Sequence, residues 1–274
     1  HAHTFGFDSD IGAWLKKRFE IPLVVTTHGS DTSLLVENKE YTRLKEYADK
    51  ADYIVAVSTA LANKLKLCAT NTPISVILNG FAIQNMHNNL NSIKHSFSLL
   101  QVGHLIEQKK FDITIKAVSK WHEIHSEVTL TIIGQGVKRD ELEKMCRELG
   151  IFESIRFLGQ VPNEVVLQEM AHSQFFVMPS VREGFGIVYL EAMASGCITI
   201  GTKGEGIADF IIDGYNGFLV PPNDPNAIVD KLEFCRKNPE QAKRIAKQGK
   251  KDAMAMTWEK NAKQYIELFN SLRK

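Results

Sequence analysis

The chain has 274 residues, 44% of them hydrophobic and 24% charged, with a formal net charge of +1. This length predicts about two globular domains, and the balanced charge gives no electrostatic basis for binding nucleic acid. The sequence contains no run of about 18 apolar residues that would predict a membrane span. The four cysteines are widely spaced, without a CxxC pair, which favours buried thiols in a reducing cytoplasm over metal ligands.

The first predicted elements are a strand ending at residues 1–3 and a helix that Asp8 and Ser9 can cap. The apolar side chains of that helix are Ile11, Trp14, Leu15 and Phe19. Asp8 and Asp10 formally make a DxD, which in some sugar transferases holds a metal through a diphosphate. Capping is the preferred interpretation, because Asp and Ser are favoured at helix starts.

A strand at residues 22–27 leads into the polar loop 28–31. Open α/β sheets bind ligands in loops just past a strand, so His28 is a candidate for orienting or polarising a hydroxyl. An ordinary, hydrogen-bonded loop histidine fits the spacing equally well. A helix at 40–51, a strand at 53–57, a helix at 58–67 and a strand at 74–78 follow, and residues 82–96 have the composition of a linker.

The pattern restarts with a strand at 97–102, then Gly103 and a basic loop, then an amphipathic helix at 111–125. Such a loop suits a phosphate, and Lys109 could act as a point charge on a diphosphate. The alternative is a solvated run of charge. The next strand, 128–133, ends in Gly134-Gln135-Gly136, which lacks the full dinucleotide fingerprint and indicates a tight turn lining the site.

The remaining predicted elements are helices at 138–149 and 162–172, strands at 155–159, 175–179, 197–200 and 217–220, a glycine-rich loop at 201–206, and helices at 224–237, 241–254 and 258–272. Strands alternate with helices throughout, which predicts an α/β fold with two parallel sheets. We place the domains at 1–92 and 93–274, with the last helix packing back toward the first domain. Facing sheets would form a cleft at the carboxyl ends of their strands.

Two carboxylates, Glu183 and Glu191, lie on either side of a strand-to-helix junction. A continuous helix would separate them by about 12 Å along its axis. Gly184 and Gly186 instead indicate a loop whose backbone approaches a ligand, followed by a helix. The N–H groups there could bind a phosphate, and a carboxylate inside the helix could accept hydrogen bonds from hydroxyls. A phosphate beside hydroxyls suggests a nucleotide sugar.

These features together resemble a retaining glycosyltransferase of family four, of the GT-B fold. The two glutamates with Gly184-Phe185-Gly186 between them are the most specific match. Weaker matches occur in the same order, at residues 28–31, 57–58, 77–80, 102–103 with Lys109, 133–136, 157–159 and 216–220. The resemblance covers nearly the whole chain. It also implies roughly a hundred further residues before His1, which would leave the N-terminal domain incomplete here.

The resemblance implies transfer from a nucleoside-diphosphate sugar, with UDP favoured over GDP, retained anomeric configuration and no required metal or cofactor. The implied catalytic residues are Glu183, Lys109 and His28. The implied donor-binding residues are Glu191, Gly103, His104, Lys110, Gly134, Gly136, Gln160, Val161, Gly184, Phe185, Gly186 and Ile187. Glu191 would hold the ribose, Lys109 would neutralise the diphosphate, and Gln160 and Val161 would lie near the base.

The sequence departs from the family at His104, where an arginine is usual. Arginine is always charged and can bind phosphate bidentately, whereas histidine is only partly protonated at neutral pH. Lys110, which stands where glycine is usual, could offset part of that loss.

The expected acceptor is a glycan or a lipid-linked molecule in bacterial polysaccharide biosynthesis. The expected location is the cytoplasm, with a lipid acceptor placing the protein at the inner face of the membrane. Two alternatives stay open: a nucleotide-sugar-binding module without catalysis, and an epimerase or phosphorylase on a similar double fold. No cofactor-lysine segment of a phosphorylase is evident.

Overall fold

The computed structural model describes residues 1–82 and 94–272. The first of these ranges forms one sheet and its helices, whose elements are β1 (Ala2–His3), α1 (Phe7–Phe19), β2 (Val24–Thr27), α2 (Ser30–Glu37), α3 (Tyr41–Lys50), β3 (Tyr53–Ala56), α4 (Thr59–Lys66) and β4 (Ile74–Val76). The strands are parallel and pair in the order β1-β2-β3-β4.

The second range forms a larger parallel sheet with flanking helices. Its elements are β5 (His95–Val102), α5 (Phe111–His122), β6 (Thr129–Ile133), α6 (Arg139–Glu148), β7 (Ile155–Gly159), α7 (Asn163–His172), β8 (Ser173–Val177), α8 (Ile187–Ala194), β9 (Ile198–Thr202), β10 (Phe218–Val220), α9 (Pro225–Lys237), α10 (Pro239–Met254) and α11 (Trp258–Leu272). The strand order is β10-β9-β8-β5-β6-β7. The predicted α/β fold with two parallel sheets is confirmed.

The larger sheet is apolar on both faces because helices cover both. Neighbouring residues Leu99 and Leu100 of β5 are both buried, as are Phe175 and Phe176 of β8. Continuous apolar runs of this kind are typical of parallel strands, which have no solvated face. Large buried side chains such as Trp121 of α5 fill the space between the sheet and its helices.

The strand order of this sheet reverses between β5 and β8. From β5 the chain first adds β6 and β7 on one side, and then returns to add β8, β9 and β10 on the other. The loops after β5 and β8 therefore leave the sheet in opposite directions and open a crevice at the carboxyl edge. Open α/β sheets bind ligands at such a switch point.

The chain crosses between the two sheets near residue 80 and again near residue 256, and the two crossings pack together. The N–H of Phe81 donates to the carbonyl of Met256 at 3.1 Å, and the Asn261 side chain donates to the carbonyl of Leu78 at 2.8 Å. A Cβ on Gly80 would lie 2.6 Å from the carbonyl carbon of Thr257, so only glycine fits this contact.

Helix α11 then lies on the first sheet. The Tyr265 hydroxyl and the Thr26 hydroxyl are 2.9 Å apart. The apolar face of the helix packs on buried side chains of β2, β3 and the segment after β4; the residues are Leu268, Phe269 and Leu272 against Val24, Val55 and Ile77. The C-terminal helix therefore ties the second part of the chain to the first.

Several sequence predictions need correction at the ends of elements. The helix after residue 6 begins at Phe7, and Ser9 bonds back to Gly6 from inside its first turn, so Asp8 is not the cap. The apolar side chains of α1 are largely exposed, with Trp14 at 62% and Phe19 at 59%. The polar loop expected at 28–31 turns into helix α2 at Ser30.

The predicted linker 82–96 falls mostly on residues 83–93, which lie outside the described part of the chain, and its last two residues belong to β5. The predicted glycine-rich loop 201–206 begins later, because β9 continues to Thr202. Among residues 1–82 and 94–272, no helix combines the length and apolar character that crossing a membrane would require.

Candidate functional site

The loops after β5 and β8 meet at the switch point through an ion pair. The ammonium of Lys109 donates to the carboxylate of Glu183, and these side chains are only 22% and 16% exposed. Below them, the buried Gln101 of β5 donates to the carbonyl of Lys109 at 2.7 Å. The N–H of Val181 donates to the carbonyl of Gln108 at 2.9 Å, which joins the two loops through their backbones.

A further carboxylate, that of Glu205, holds the backbone of Glu183. It accepts from the N–H of Glu183 at 2.9 Å, and the N–H of Gly206 donates to the carbonyl of Glu183 at 3.3 Å. The sequence showed no second carboxylate near Glu183, because Glu205 is 22 residues away. The glycines that flank Glu205 were the only available signal.

Helix α8 begins at the glycine that follows Phe185. Gly186 has a φ of 80°, and a Cβ there would lie 2.7 Å from the ring of Tyr189. Tyr189 is itself fixed, because its hydroxyl donates to the carbonyl of Met178 at 2.6 Å. The buried Phe185 and this glycine therefore set where the first turn of α8 presents its N–H groups, beginning at Ile187. Such groups lack partners inside the helix and favour an anion.

Glu191 lies one turn further along α8 and is half-buried. Burial raises the pKa of its carboxyl above the ordinary range, because the charged form loses hydration. A partly desolvated carboxylate forms strong hydrogen bonds with donors such as hydroxyls. Glu183 and Glu191 therefore differ in surroundings: the first is paired with a lysine, and the second faces a less polar environment.

The loops after β5, β6 and β7 continue the pairing of their strands. The N–H of Gly103 donates to the carbonyl of Ile133 at 2.9 Å, and that of Gly134 to Gly159 at 2.8 Å. A Cβ on Gly134 would lie 1.9 Å from the carbonyl oxygen of Gly103, and one on Gly136 would lie 2.5 Å from that of Leu105. The glycines are thus needed for packing of loop on loop.

The remaining predicted donor residues lie around this edge in different settings. His104 is exposed, directly after Gly103. Lys110 has a φ of 52° and directs its ammonium to the carboxylate of Glu107 at 2.6 Å, so it has a carboxylate partner of its own. Gln160, which is exposed, and Val161, which is half-buried, follow β7 at the end of the row.

His28, at the end of β2, brings the first sheet to the site. A Cβ on Gly184 would lie 1.9 Å from the carbonyl oxygen of His28, so the loops of the two sheets touch through their backbones. The ring nitrogens of His28 and His3 are 2.9 Å apart. His28 is exposed to solvent, but partial desolvation lowers its pKa, the neighbouring His3 lowers it further, and the charge of Asp31 opposes both effects. The imidazole is therefore biased toward its neutral form.

Asp31 organises the loop that carries His28. Its carboxylate accepts from the N–H of Gly29 at 3.1 Å, from the N–H of Phe5 at 2.9 Å and from the hydroxyl of Thr27 at 2.9 Å. The loop is thereby tied to its own strand and to the segment after β1. Asp31 was part of the matching motif, but its sequence position alone gave no role.

Comparison with known families finds two matches that together span most of the chain. Residues 82–252 match the family described as glycosyl transferases group 1, and residues 1–85 match glycosyltransferase family 4. The first match alone includes more than half of the chain.

Individual relatives agree. An uncharacterized glycosyltransferase of Methanocaldococcus jannaschii is 31% identical over 95% of this chain and 71% of its own length. A D-inositol 3-phosphate glycosyltransferase of Corynebacterium urealyticum is 31% identical over 62% of this chain and 42% of its own length. Among solved structures, Anabaena HepE in complex with UDP superposes with a TM-score of 0.83, at 23% identity, over 97% of this chain and 76% of that one. This likeness supports the GT-B arrangement of the two sheets.

Proposed function

The chain belongs to the glycosyl transferases group 1 family, and we propose that it moves a sugar from a UDP-sugar to a glycan or lipid-linked acceptor with retention of anomeric configuration. One observation carries the proposal most directly. A lysine and a glutamate meet at the switch point of the larger sheet, and the loop bearing His28 touches the same glutamate's loop from the other sheet. A donor bound there would have its reacting bond in the cleft between them.

The donor diphosphate would lie between the ammonium of Lys109 and the N–H groups at the start of α8. Both favour negative charge, and the helix start does so through its backbone dipoles. Glu191, one turn along the same helix, would accept hydrogen bonds from the ribose hydroxyls. The residues after β7, Gln160 and Val161, would then lie beside the base. The family model and the UDP bound to the HepE neighbour favour a nucleoside-diphosphate donor.

Breaking the glycosidic bond leaves negative charge on the terminal phosphate. Lys109 and the helix start would stabilise that charge as it develops, without a reorganisation of solvent. Retention follows if the acceptor attacks from the face that the diphosphate leaves, and the leaving phosphate takes the acceptor proton. A double displacement would instead require Glu183 as nucleophile, and its carboxylate would first have to leave Lys109.

His28 would face the donor sugar from the first sheet. Because partial desolvation and His3 both lower its pKa, His28 would act mainly as a neutral imidazole that donates or accepts a hydrogen bond with a sugar hydroxyl. One family relative is named a D-inositol 3-phosphate glycosyltransferase. The acceptor of the present chain would enter from the side of the first sheet.

Titration calorimetry with UDP, GDP and ADP tests the donor site. We expect UDP to bind more tightly than GDP and ADP, and the Lys109→Gln variant to lose most of the affinity. The Lys116→Gln variant is the matched control. Lys116 pairs with Asp112 on the outer face of α5, so its substitution should leave UDP binding unchanged. Failure of all three nucleotides to bind would overturn the donor assignment.

Turnover separates an active transferase from a binding module. The active protein should release UDP from UDP-glucose, and the Glu183→Ala variant should release it at least a hundredfold more slowly. UDP binding without measurable release in the unaltered protein would instead favour the binding module. Unaltered release by the Glu183→Ala variant would remove Glu183 from the reacting centre.

A further inference from the structure

Two polar contacts join the two sheets beside the candidate site, and none of their side chains belongs to the donor-binding set. The guanidinium of Arg182 contacts the carboxylate of Glu37 at 2.6 Å. The carboxylate of Asp209 accepts from the N–H of Thr59. Arg182 and Asp209 belong to the second part of the chain, whereas Glu37 and Thr59 belong to the first.

The positions of Arg182 and Glu37 allow their contact to affect the placement of the loop that carries Glu183. Arg182 directly precedes Glu183 and has a φ of 65°, which leaves its backbone little freedom. Glu37 is the last residue of α2, whose first turn follows Gly29. Helix α2 therefore touches the loop at both ends, through the His28–Gly184 backbone contact at its start and through the ion pair at its end.

Asp209 acts on the other flank of the same loop. It follows Glu205, which holds the N–H of Glu183, and between them the buried Ile207 packs in a core shared with the first sheet. Thr59 is the first residue of α4, where a backbone N–H lacks a helical partner and gains from a carboxylate. The loop carrying Glu183 is thus held against the first sheet from two sides.

We infer that Glu37 and Arg182 are a positioning pair, which holds Glu183 in place opposite His28 across the cleft between the two sheets. The inference rests on the proposed function for its catalytic consequence, but its structural consequence does not. The Arg182 and Glu37 side chains are 46% and 31% exposed, and exposed pairs are weak and reversible.

Hydrogen–deuterium exchange tests the structural part without any turnover. In the Glu37→Gln variant we expect amides at 182–186 and at the start of α4 to exchange faster, by about two- to fivefold. Glu40→Gln is the matched control, because Glu40 pairs with Arg43 within the same helical region and away from the interface. Equal protection in Glu37→Gln and Glu40→Gln would overturn the inference.

Kinetics test the catalytic part. The Glu37→Gln variant should lower kcat/KM for UDP-glucose hydrolysis by about fivefold, while the Kd of UDP stays unchanged, because Lys109 and Glu191 hold UDP from the second sheet alone. The paired exchange Glu37→Arg with Arg182→Glu should restore part of the loss. A raised Kd of UDP, or no restoration, would contradict a positioning role. Failure of the unaltered protein to bind UDP would count against the proposed function. The hydrogen–deuterium exchange experiment would still test whether Glu37 and Arg182 hold the loop in place.

Discussion

The contact between Lys109 and Glu183 predicts that removing the glutamate charge tightens UDP binding. In the free protein the carboxylate of Glu183 is paired with the ammonium of Lys109, which is the group that we propose binds the diphosphate. UDP must therefore take Lys109 away from Glu183, and it brings negative charge close to a carboxylate that has lost its partner. The Glu183→Gln variant keeps the size of the side chain and removes both costs.

The magnitude follows from the setting of the pair. Two unit charges about 4 Å apart attract by about 4 kcal/mol at an effective dielectric constant of about 20. Most of this is regained when Lys109 contacts the phosphate, and partial exposure screens the remainder. A net gain of about 1 kcal/mol, or about a fivefold lower Kd, is expected. UDP is the appropriate probe because it lacks the sugar that Glu183 would contact.

Calorimetric titration of UDP into the two proteins measures the effect. The Glu240→Gln variant, which removes an exposed partner of Lys243 on α10, controls for a general change in charge. The double variant with Lys109→Gln and Glu183→Gln should show a smaller gain over Lys109→Gln than Glu183→Gln shows over the unaltered protein, because no ammonium remains to be freed and only the repulsion between carboxylate and phosphate is removed. An unchanged or higher Kd for Glu183→Gln would refute the idea that the carboxylate competes with phosphate.

Three further outcomes follow from the site. The His104→Arg variant should lower the Kd of UDP by about three- to tenfold, because a guanidinium stays charged and can donate two hydrogen bonds to a phosphate. Calorimetric titration measures this change in Kd. Burial raises the pKa of Glu191, so the folded protein is destabilised when this carboxyl ionises as the pH rises through that pKa. The Glu191→Gln variant, which cannot ionise, should therefore have a higher Tm than the unaltered protein at pH 7 but not at pH 4. The same variant should bind UDP about tenfold more weakly, because it loses the carboxylate that accepts from the ribose hydroxyls. Gly134→Ala should cost about 2–4 kcal/mol in denaturant unfolding, because its Cβ would overlap the carbonyl of Gly103, whereas Gly150→Ala, also at positive φ but in open space, should cost about 1 kcal/mol.

Strands β5 and β6 of the larger sheet were predictable because each is a short, largely apolar run followed by glycine. Residues 97–102 and 128–133 end at Gly103 and Gly134, and each run proved to be a strand within a few residues of the expected ends. Helix α2 was missed, since its first half is polar and short, and a polar stretch after a strand reads as a loop. The exposed apolar face of α1 shows that periodicity predicts a helix but not what covers it.

The contacts across the cleft could not be predicted in the same way. Glu37 and Arg182 are far apart in sequence, and many exposed charges of opposite sign could have paired instead. Their pairing depends on how the two sheets are placed relative to each other, which the apolar contacts of α11 and the hydrogen bonds between the two crossings determine. Glu205 was missed for a related reason. Its carboxylate accepts from a backbone N–H, and the sequence alone does not show which acidic residue of a loop makes such a contact.

The glycines between Glu183 and Glu191 illustrate how one sequence signal can carry two different physical requirements. Both were expected to let the backbone approach a ligand. Gly186 has a positive φ and starts α8 over the ring of Tyr189, so the turn and that ring both require glycine. Gly184 instead lies against the carbonyl of His28, and a Cβ on Gly29 would come within 2.9 Å of its Cα. Any side chain at residue 184 would therefore push the His28 loop away from Glu183, so this glycine sets the width of the cleft.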